Sequence, residues 1–250
     1  MKFKLQTKVK ERFRKFYIKQ MFKPTLLFGA IFNQSYFIRS HLFDCVTEVA
    51  SIFKGGKLVD VGCGSKPYVD CFDVNEYIGL DIGNAKNYRD IDSVNYFYDG
   101  NQFPFPSEYC EWVFSSEVLE HVFNPDQFLS EIYRILKVGG KVSLTTPFVW
   151  HEHEQPYDFC RYSSYGLIAL LERNNFKVIK YEKKSHYLET ICQLFIQYFH
   201  KKLCFGPQYF RLLMQIIFIA PLTLFSLLIS KFSVKNQDLY LTNFIIAIKE

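Results

Sequence analysis

The sequence predicts an α/β protein built on a doubly wound, mostly parallel sheet of seven strands, with a hydrophobic helical insertion before the last strand. Three observations predict this fold. Short apolar segments alternate with segments of helical periodicity. Apolar strands of this kind are typical of parallel sheets that helices cover on both faces. The first strand runs directly into a glycine turn, in the segment VDVGCGSKPY over residues 59–68.

The predicted elements follow one another from residue 36 to the end of the chain. A helix at 36–53 leads into the first strand, and a second helix is expected at 124–136. The Gly139-Gly140 pair is expected to act as a stop before the fifth strand begins. The strands are predicted at 57–61, 77–80, 96–98, 112–115, 141–145, 176–181 and 241–249.

The N-terminal segment, residues 1–33, is predicted to be basic and amphipathic. Residues 1–23 carry nine Lys or Arg against one acid, Glu11, so the other 227 residues of this +5 chain sum to −3. Apolar residues recur there at helical spacing between the cations. This pattern predicts a helix on an anionic membrane surface, or one whose apolar stripe packs on the domain. The slightly acidic remainder argues against a nucleic-acid partner.

A second segment, residues 187–235, is an apolar helical insertion into the core, which we place at 34–186 plus 236–250. It contains nineteen consecutive residues without a charge, 212–230, with Pro221 near their middle. A simple membrane span would carry the last strand away from its sheet. We therefore expect the insertion to lie in one leaflet of a membrane or to cover the domain as a lid, with a buried helix pair or a dimer interface as the alternative.

The seven cysteines form no C-x-x-C pair, which indicates reduced thiols. Together with the basic segment, this predicts a cytoplasmic protein that is peripheral on the inner face of a membrane.

Acidic residues follow three neighbouring strands around the glycine turn. Asp60 lies two residues before Gly62, Asp81 ends the second strand and Asp99 follows the third. Dinucleotide-binding proteins would have a third glycine here, but Ser65-Lys66-Pro67 follows Gly64 in this chain, so that glycine is missing. The acids suit a ligand with an amine, a ribose and an adenine, and they do not suit a pyrophosphate.

Three runs of the sequence, which together contain four separated motifs, carry a resemblance. The runs VDVGCGSKPYVDCFDVNEYIGLDI, DGNQFPFPSEYCEWVFSSEVLEHV and LSEIYRILKVGGKVSLTTPF resemble the class I S-adenosylmethionine-dependent methyltransferases, in their small-molecule group with the LPF…EVLEH…LKPGG signature. The resemblance covers residues 57–181 and the last strand at 240–249. It implies the strand order 3-2-1-4-5-7-6 with the last strand antiparallel. Mild departures are Ser65-Lys66-Pro67, Phe103, Cys110 and Val138.

The resemblance also implies the cofactor, S-adenosyl-L-methionine, and the residues that bind it. One group would line the amino acid end of the cofactor, a second the ribose and adenine, and a third the rim after the fourth strand. These groups are Asp60, Gly62, Cys63 and Gly64; Asp81, Ile82, Asp99 and Gly100; and Ser115 and Ser116.

The segment after the fifth strand is expected at the acceptor mouth, and its H-E-x-P-x-D-F-x-R-Y run matches one found in similar proteins. His153 is the first candidate for a general base and His121, in EVLEH, the second. The predicted substrate-binding residues are His151, Tyr157, Asp158, Arg161 and Tyr162. Alternatively, Asp158 and Arg161 pair to lock the loop. No metal is expected, since the paired histidines lack visible further ligands.

These observations predict methyl transfer from S-adenosylmethionine to a small-molecule or lipid-linked acceptor. The preferred hypothesis is O-methylation of a sugar or glycolipid. Methylation of a prenylated quinone-type ring is the alternative that the apolar insertion also favours. A binding protein of a different class, tethered to the membrane and without catalysis, stays open.

Overall fold

A computed structural model describes residues 2–83 and 93–250 of the chain. The helices are α1 (Lys2–Phe22), α2 (Leu26–Phe32), α3 (Tyr36–Ile52), α4 (Pro125–Ile135), α5 (Ser164–Arg173), α6 (Tyr187–Leu203), α7 (Gln208–Met214) and α8 (Ala220–Ser230). The strands are β1 (Lys57–Val61), β2 (Glu76–Ile82), β3 (Tyr96–Tyr98), β4 (Cys110–Ser116), β5 (Leu136–Pro147), β6 (Phe176–Lys184) and β7 (Thr242–Lys249).

The strands form one seven-stranded sheet in the order β3-β2-β1-β4-β5-β7-β6, which confirms the predicted fold and strand order. β1 pairs in parallel with β2 and β4, whereas β7 is antiparallel to both β5 and β6. Because β1 to β5 are parallel, their carboxyl ends meet at one edge of the sheet. The predicted site residues at these ends are therefore brought to the same edge.

The chain divides into two compact units. One contains the chain up to Asp44 together with Ser185–Tyr240, and the other contains Cys45–Lys184 with Leu241–Glu250. The sheet belongs to the second unit, which we call the sheet unit. The first unit, which we call the helical unit, holds both the basic N-terminal segment and the apolar insertion.

The core of the sheet unit is built from the apolar strands that the sequence predicts. Val59, Leu80, Val113 and Leu144 have 0–1% of their surface exposed. α4 covers this core, and its first turn is capped by the Asn124 side chain, which accepts a hydrogen bond from the Gln127 amide at 3.3 Å. Buried apolar strands of this kind supply most of the favourable free energy of folding.

The fifth strand differs from its prediction at the glycine pair. Pairing with β4 begins at Cys110 opposite Leu136, shifts, and resumes at Trp112 opposite Lys141. Gly139 has a φ of +79°, a left-handed conformation that accommodates the extra residues of an irregularity within the ladder. The expectation that Gly139-Gly140 stops the chain before the strand is therefore wrong, because the pair forms a bulge inside β5.

Among its described residues, the helical unit contains one stretch, Gln208–Ser230, that is long and apolar enough to cross a membrane by length and composition. An 18-residue window within this stretch has a mean hydropathy of 2.4, and 28% of the window is buried. A single π-helical turn, Gln215–Ile219, precedes Pro221 in α8. The wider turn accommodates a proline ring that lacks an amide donor, so the helix continues through it.

The described part of α1 packs an aromatic stripe on α2. The ring centroids of Phe16 and Phe28 lie 5.3 Å apart, and those of Phe16 and Phe32 lie 6.3 Å apart, both edge to face. Phe13 contacts Phe32 but remains 50% exposed. The stripe therefore packs partly on protein, while Leu5 and Val9 lie among side chains outside the described ones.

Candidate active site

The glycine turn after β1 folds over the end of β2. The amides of Gly62 and Cys63 donate to the Leu80 carbonyl oxygen at 2.8 and 3.2 Å. Gly62 has a φ of +75°, and a Cβ on it would lie 2.3 Å from Cγ2 of Val118. Gly64 also has a positive φ, of +50°, but a Cβ there would meet none of the described atoms within 4 Å. The turn therefore needs glycine at 62 for both conformation and space, and beside Gly64 it leaves a space that none of the described atoms occupies.

Asp60 is buried in β1 below this turn, with 3% of its surface exposed. Its Oδ2 accepts a hydrogen bond from the Tyr77 hydroxyl at 2.6 Å. Burial raises the pKa of Asp60 to about 7, the Tyr77 hydrogen bond opposes this rise, and the nearby Asp81 charge adds to it. A cation placed near this carboxyl would stabilise its ionised form.

Asp81 is the penultimate residue of β2 and anchors the turn. Its Oδ2 accepts from the Gly64 amide at 2.8 Å and its Oδ1 from the Ile82 amide at 2.8 Å. Asp60 lies opposite Gly79 in the parallel pair, so the alternation of strand side chains places Asp60 and Asp81 on one face. Two buried carboxyl groups thus lie together at the sheet edge.

Lys66 lies one residue before Pro67, which stands where a dinucleotide fold has its third glycine, and the Lys66 side chain lies across β2. Its Nζ donates to Oδ1 of Asn95, and that oxygen also accepts from the Gly79 amide at 2.8 Å. A Cβ on Gly79 would be 2.2 Å from Cε of Lys66. Sequence reasoning missed this contact, although an isolated glycine inside a strand is a known sign of close approach.

The end of β3 supplies the outer part of the site. Asp99 is exposed, and backbone hydrogen bonds from Asn101 and Gln102, at 2.9 and 3.2 Å to Oδ1, lower its pKa. Ile82 is 41% exposed, and its Cδ1 would be 3.4 Å from a Cβ on Gly100. Asp99 and Phe103 are among the residues that line a shallow depression here. The surface offers an apolar side chain beside an acid, as an adenine would require.

Ser115 and Ser116 lie within β4, and both hydroxyls are engaged. Ser115 is buried and donates to the Val61 carbonyl oxygen at 2.9 Å. The Ser116 hydroxyl shares a hydrogen bond with that of Thr145 at 2.9 Å. Their predicted contact with the cofactor stays a prediction.

The predicted cofactor fits the turn. The donor set is two buried carboxyl groups, which suit the cationic amine and the hydroxyls of S-adenosylmethionine, and the open space beside Gly64 lies at the same place. Asp60, Cys63 and Gly64 would hold the amino acid end, Asp81 the ribose, and Ile82 and Asp99 the adenine. When bound, the cofactor supplies an activated methyl group. The Cys63 thiol donates weakly to the Gly64 carbonyl, and burial with the two acids raises its pKa to about 12, so it stays neutral.

The loop after β5 is locked by an ion pair. Arg161 donates through Nη1 and Nη2 to Oδ1 and Oδ2 of Asp158 at 2.6 and 2.7 Å, and also to the carbonyls of Cys160 and His151. These bonds hold the pKa of Asp158 well below its usual range. The geometry favours the structural role for this pair over direct substrate binding.

His153 and His121 lie together beside this pair, with ring centroids 4.7 Å apart. Nδ1 of His153 is 3.2 Å from the His151 carbonyl oxygen and 3.3 Å from Oδ2 of Asp158. Nδ1 of His121 is 2.8 Å from the Tyr157 carbonyl oxygen. Since carbonyl and carboxylate oxygens only accept, both Nδ1 atoms carry hydrogen, and in the neutral form of each ring Nε2 presents a lone pair. Burial lowers the pKa of His153, and the neighbouring His121 adds to this.

Glu120 completes the group, and sequence reasoning missed it. It has 0% exposure, and neither carboxyl oxygen has a hydrogen bond within the described part of the chain. Its Oε1 is 3.8 Å from Nε2 of His121, and one donor atom from each of Glu120, His121 and His153 lies within 4.8 Å of the others. We call these three residues the Glu-His-His cluster. Nothing in the motif EVLEH distinguishes a buried glutamate from a surface one.

The remaining predicted substrate residues are divided between surface and core. Tyr157 is 64% exposed and His151 is half-buried beside His153, with ring centroids 6.3 Å apart. Tyr162 packs against the core of the sheet unit. Its role at the acceptor mouth stays a prediction.

The fold and this site define a class: the chain has the class I S-adenosylmethionine-dependent methyltransferase fold. Within that class, residues 59–144 match the family model described as a methyltransferase domain. The cofactor of this family is S-adenosylmethionine. A curated protein of Mycolicibacterium smegmatis, named a probable S-adenosylmethionine-dependent methyltransferase, is 29% identical over 125 residues, which are 46% of this chain. The chain spans about half of that relative, since the match covers 47% of its length.

Solved structures share the fold at low identity. A Mesorhizobium loti S-adenosylmethionine-dependent methyltransferase has a TM-score of 0.53 at 13% identity, covering 84% of this chain and 98% of its own. A Haemonchus contortus phosphoethanolamine N-methyltransferase 2 in complex with S-adenosylmethionine has a TM-score of 0.53 at 20% identity, covering 83% and 52%. At these identities the likeness shows the fold alone.

Proposed function

We propose that this chain transfers the methyl group of S-adenosylmethionine to a hydroxyl oxygen of a small-molecule or lipid-linked acceptor. The acceptor that we favour is a hydroxyl of a sugar or glycolipid. The observation that carries the proposal is the Glu-His-His cluster, which lies beyond the carboxyl ends of β4 and β5, on the sheet edge that also holds the glycine turn. A hydroxyl must lose its proton as its oxygen attacks the methyl group, whereas a sulfonium methyl needs little activation beyond alignment.

We assign the acceptor proton to this cluster. His153 and His121, the two predicted bases, both belong to it, and their Nδ1–H groups are held by oxygen acceptors. Asp158 orients His153, and Arg161 fixes Asp158 in turn. A locked loop of this kind keeps the ring in one orientation, which supports proton transfer in a fixed direction.

We also propose that the helical unit binds the surface of a membrane at its cytoplasmic side, where a lipid-linked acceptor would be presented. Large apolar side chains stand exposed along α6 to α8 and directly after α8, including Phe225 at 60%, Leu228 at 56% and, in the turn that follows α8, Phe232 at 85%. Exposed apolar side chains that form a patch on a protein surface mark binding sites for apolar partners. The basic residues of the N-terminal segment would add attraction to anionic lipids.

The first experiment measures the cofactor. Calorimetric titration of S-adenosylmethionine is made into the full chain, beside Asp81→Ala and the control Asp73→Ala, whose exposed carboxylate pairs only with Lys54 at 3.7 Å among the described residues. We expect micromolar binding in the wild type and the control, and its loss in Asp81→Ala. Absence of binding in the folded wild type would refute the enzyme and leave the alternative of a binding protein.

The second experiment identifies the acceptor atom. The chain is incubated with S-adenosylmethionine carrying a deuterated methyl group and with bacterial lipid extracts, free sugars or prenylated quinones, and products are identified by mass and by fragmentation. A labelled O-methyl sugar is the expected product. A label on a ring carbon would favour the quinone alternative, which the exposed apolar surface of the helical unit also supports.

A further inference from the structure

We propose that the Glu-His-His cluster is a binding site for a zinc-class divalent cation. The inference concerns the same cluster as the proposed function and refines its role. Binding of the metal is measured without methyl donor or acceptor, so it is tested separately from methyl transfer. A bound metal would take over from the histidines the activation of the acceptor hydroxyl, while methyl transfer itself would stand.

The first reason is the buried carboxyl group of Glu120. A carboxylate removed from water is costly unless a positive charge or hydrogen bonds compensate it. Glu120 is fully buried, yet its two oxygens have no hydrogen bond among residues 2–83 and 93–250. The guanidinium of Arg161 is near, but it is already paired with Asp158 through both carboxylate oxygens. A cation bound in the cluster would stabilise the ionised form of this carboxyl group directly.

The second reason is the orientation of the two imidazoles. Metal-binding histidines generally donate one ring N–H to a carboxylate or carbonyl oxygen, which fixes the tautomer and directs the other nitrogen at the metal. His121 has this arrangement through the Tyr157 carbonyl at 2.8 Å, and His153 has it through Asp158 at 3.3 Å and the His151 carbonyl at 3.2 Å. Both Nε2 atoms remain as ligands.

The third reason is the composition and spacing of the set. Two imidazoles and one carboxylate form a donor set of catalytic zinc sites, in which a water or substrate oxygen takes the fourth position. The donor atoms lie within 4.8 Å of one another. Metal–ligand distances of 2.0–2.2 Å place tetrahedral donors about 3.5 Å apart, so side-chain movements of about 1 Å would close the site.

An open fourth position would explain how the cluster acts on an acceptor. His121 and His153 are partly exposed, with 17% and 27% of their side chains accessible, while Glu120 is sealed below them. A hydroxyl that coordinates the cation has a lowered pKa. The histidines would then act as ligands, and the acceptor proton would leave to water from the bound hydroxyl.

The test uses metal-free full-length protein, prepared with a chelator. Zn²⁺ is titrated by calorimetry and by competition with a chromophoric chelator, and Co²⁺ is added to record its visible absorption. The variants are Glu120→Gln, which keeps the volume and removes the charge, and His153→Asn. His151→Asn is the matched control, since it changes the same residue type in the same loop outside the cluster.

We expect one equivalent of Zn²⁺ in the wild type and in His151→Asn, with the Co²⁺ absorption of a tetrahedral or five-coordinate site. Glu120→Gln and His153→Asn should weaken binding at least 100-fold. Asp158→Asn should weaken it 10- to 100-fold, because the carboxylate that holds Nδ1–H of His153 is lost. Equal affinity in the wild type and Glu120→Gln would overturn the site, as would an equal loss in His151→Asn. Binding of S-adenosylmethionine by each variant reports whether it is folded, and Asp158→Asn supplies a variant that leaves all three ligands in place.

Discussion

Replacing Gly62 by alanine should lower the free energy of unfolding for two reasons, the left-handed backbone conformation and a steric overlap with Val118. The left-handed φ of +75° costs about 1–2 kcal/mol for a residue with a Cβ. The new methyl group would lie 2.3 Å from Cγ2 and 2.9 Å from Cγ1 of Val118, a stiff β-branched side chain. Relieving such an overlap costs about 1–3 kcal/mol. The sum is about 2–5 kcal/mol of unfolding free energy.

Two further variants test this division. Gly64→Ala has the φ cost alone, because a Cβ there meets none of the described atoms within 4 Å, so it should lose about 1–2 kcal/mol. In a Val118→Ala background the overlap is removed, so adding Gly62→Ala should lower the free energy of unfolding only by the φ cost. The double variant is therefore compared with Val118→Ala alone.

Urea unfolding followed by circular dichroism measures the free energies, and calorimetric titration with S-adenosylmethionine measures the effect on binding. If Gly62→Ala were no more destabilising than Gly64→Ala, the close contact with Val118 would have no energetic weight and the reasoning would fail. A Gly64→Ala variant that keeps full stability but loses the cofactor would instead indicate that the open space beside Gly64 belongs to the ligand.

The other two predictions concern charge and lipid. The raised pKa of Asp60, about 7 when folded against 3.8 as its ordinary value, means that the folded protein without ligand binds the proton more tightly, so its stability should fall as pH rises from about 4 to about 7. S-adenosylmethionine, a cation, should then bind more tightly as pH rises through 7, and Asp60→Asn should flatten both profiles; profiles unchanged by this substitution would contradict the assignment. Leu228→Glu in the helical unit should weaken flotation of the full chain with anionic vesicles of phosphatidylglycerol and phosphatidylcholine at least tenfold, whereas Phe123→Glu, an 83% exposed phenylalanine of the sheet unit, should not. Equal flotation of both variants would remove the helical unit from membrane binding.

Much of the fold was predictable because its signals are local. Strand β1 has its predicted bounds, and the acids at the ends of β1, β2 and β3 lie at the same sheet edge, since the order of apolar strands and helices restricts the topology to few solutions. The bulge in β5 was not predictable. A glycine pair is compatible with a stop or with a bulge, and the choice depends on the partner strand β4.

The candidate acceptor site shows the same limit more clearly. His153, His121 and Asp158 were predicted from the loop sequence, but the role of Arg161 depended on its bonds to Asp158 and to two carbonyls. Glu120 could not be selected at all, because burial of a carboxyl group results from the loop that covers it: the amides of Phe159 and Cys160 donate to its carbonyl oxygen.

By itself, then, the sequence determined the seven-stranded sheet, the glycine turn with its acids, and the charge and apolarity of the segments outside the sheet, because these depend on residue type and spacing along the chain. The tertiary structure alone decided which groups from separate elements lie together: the Lys66 side chain across Gly79, and the buried Glu120 beside two partly exposed histidines. Such groupings join residues from separate elements, and their electrostatics depend on the exclusion of water, which no linear pattern records.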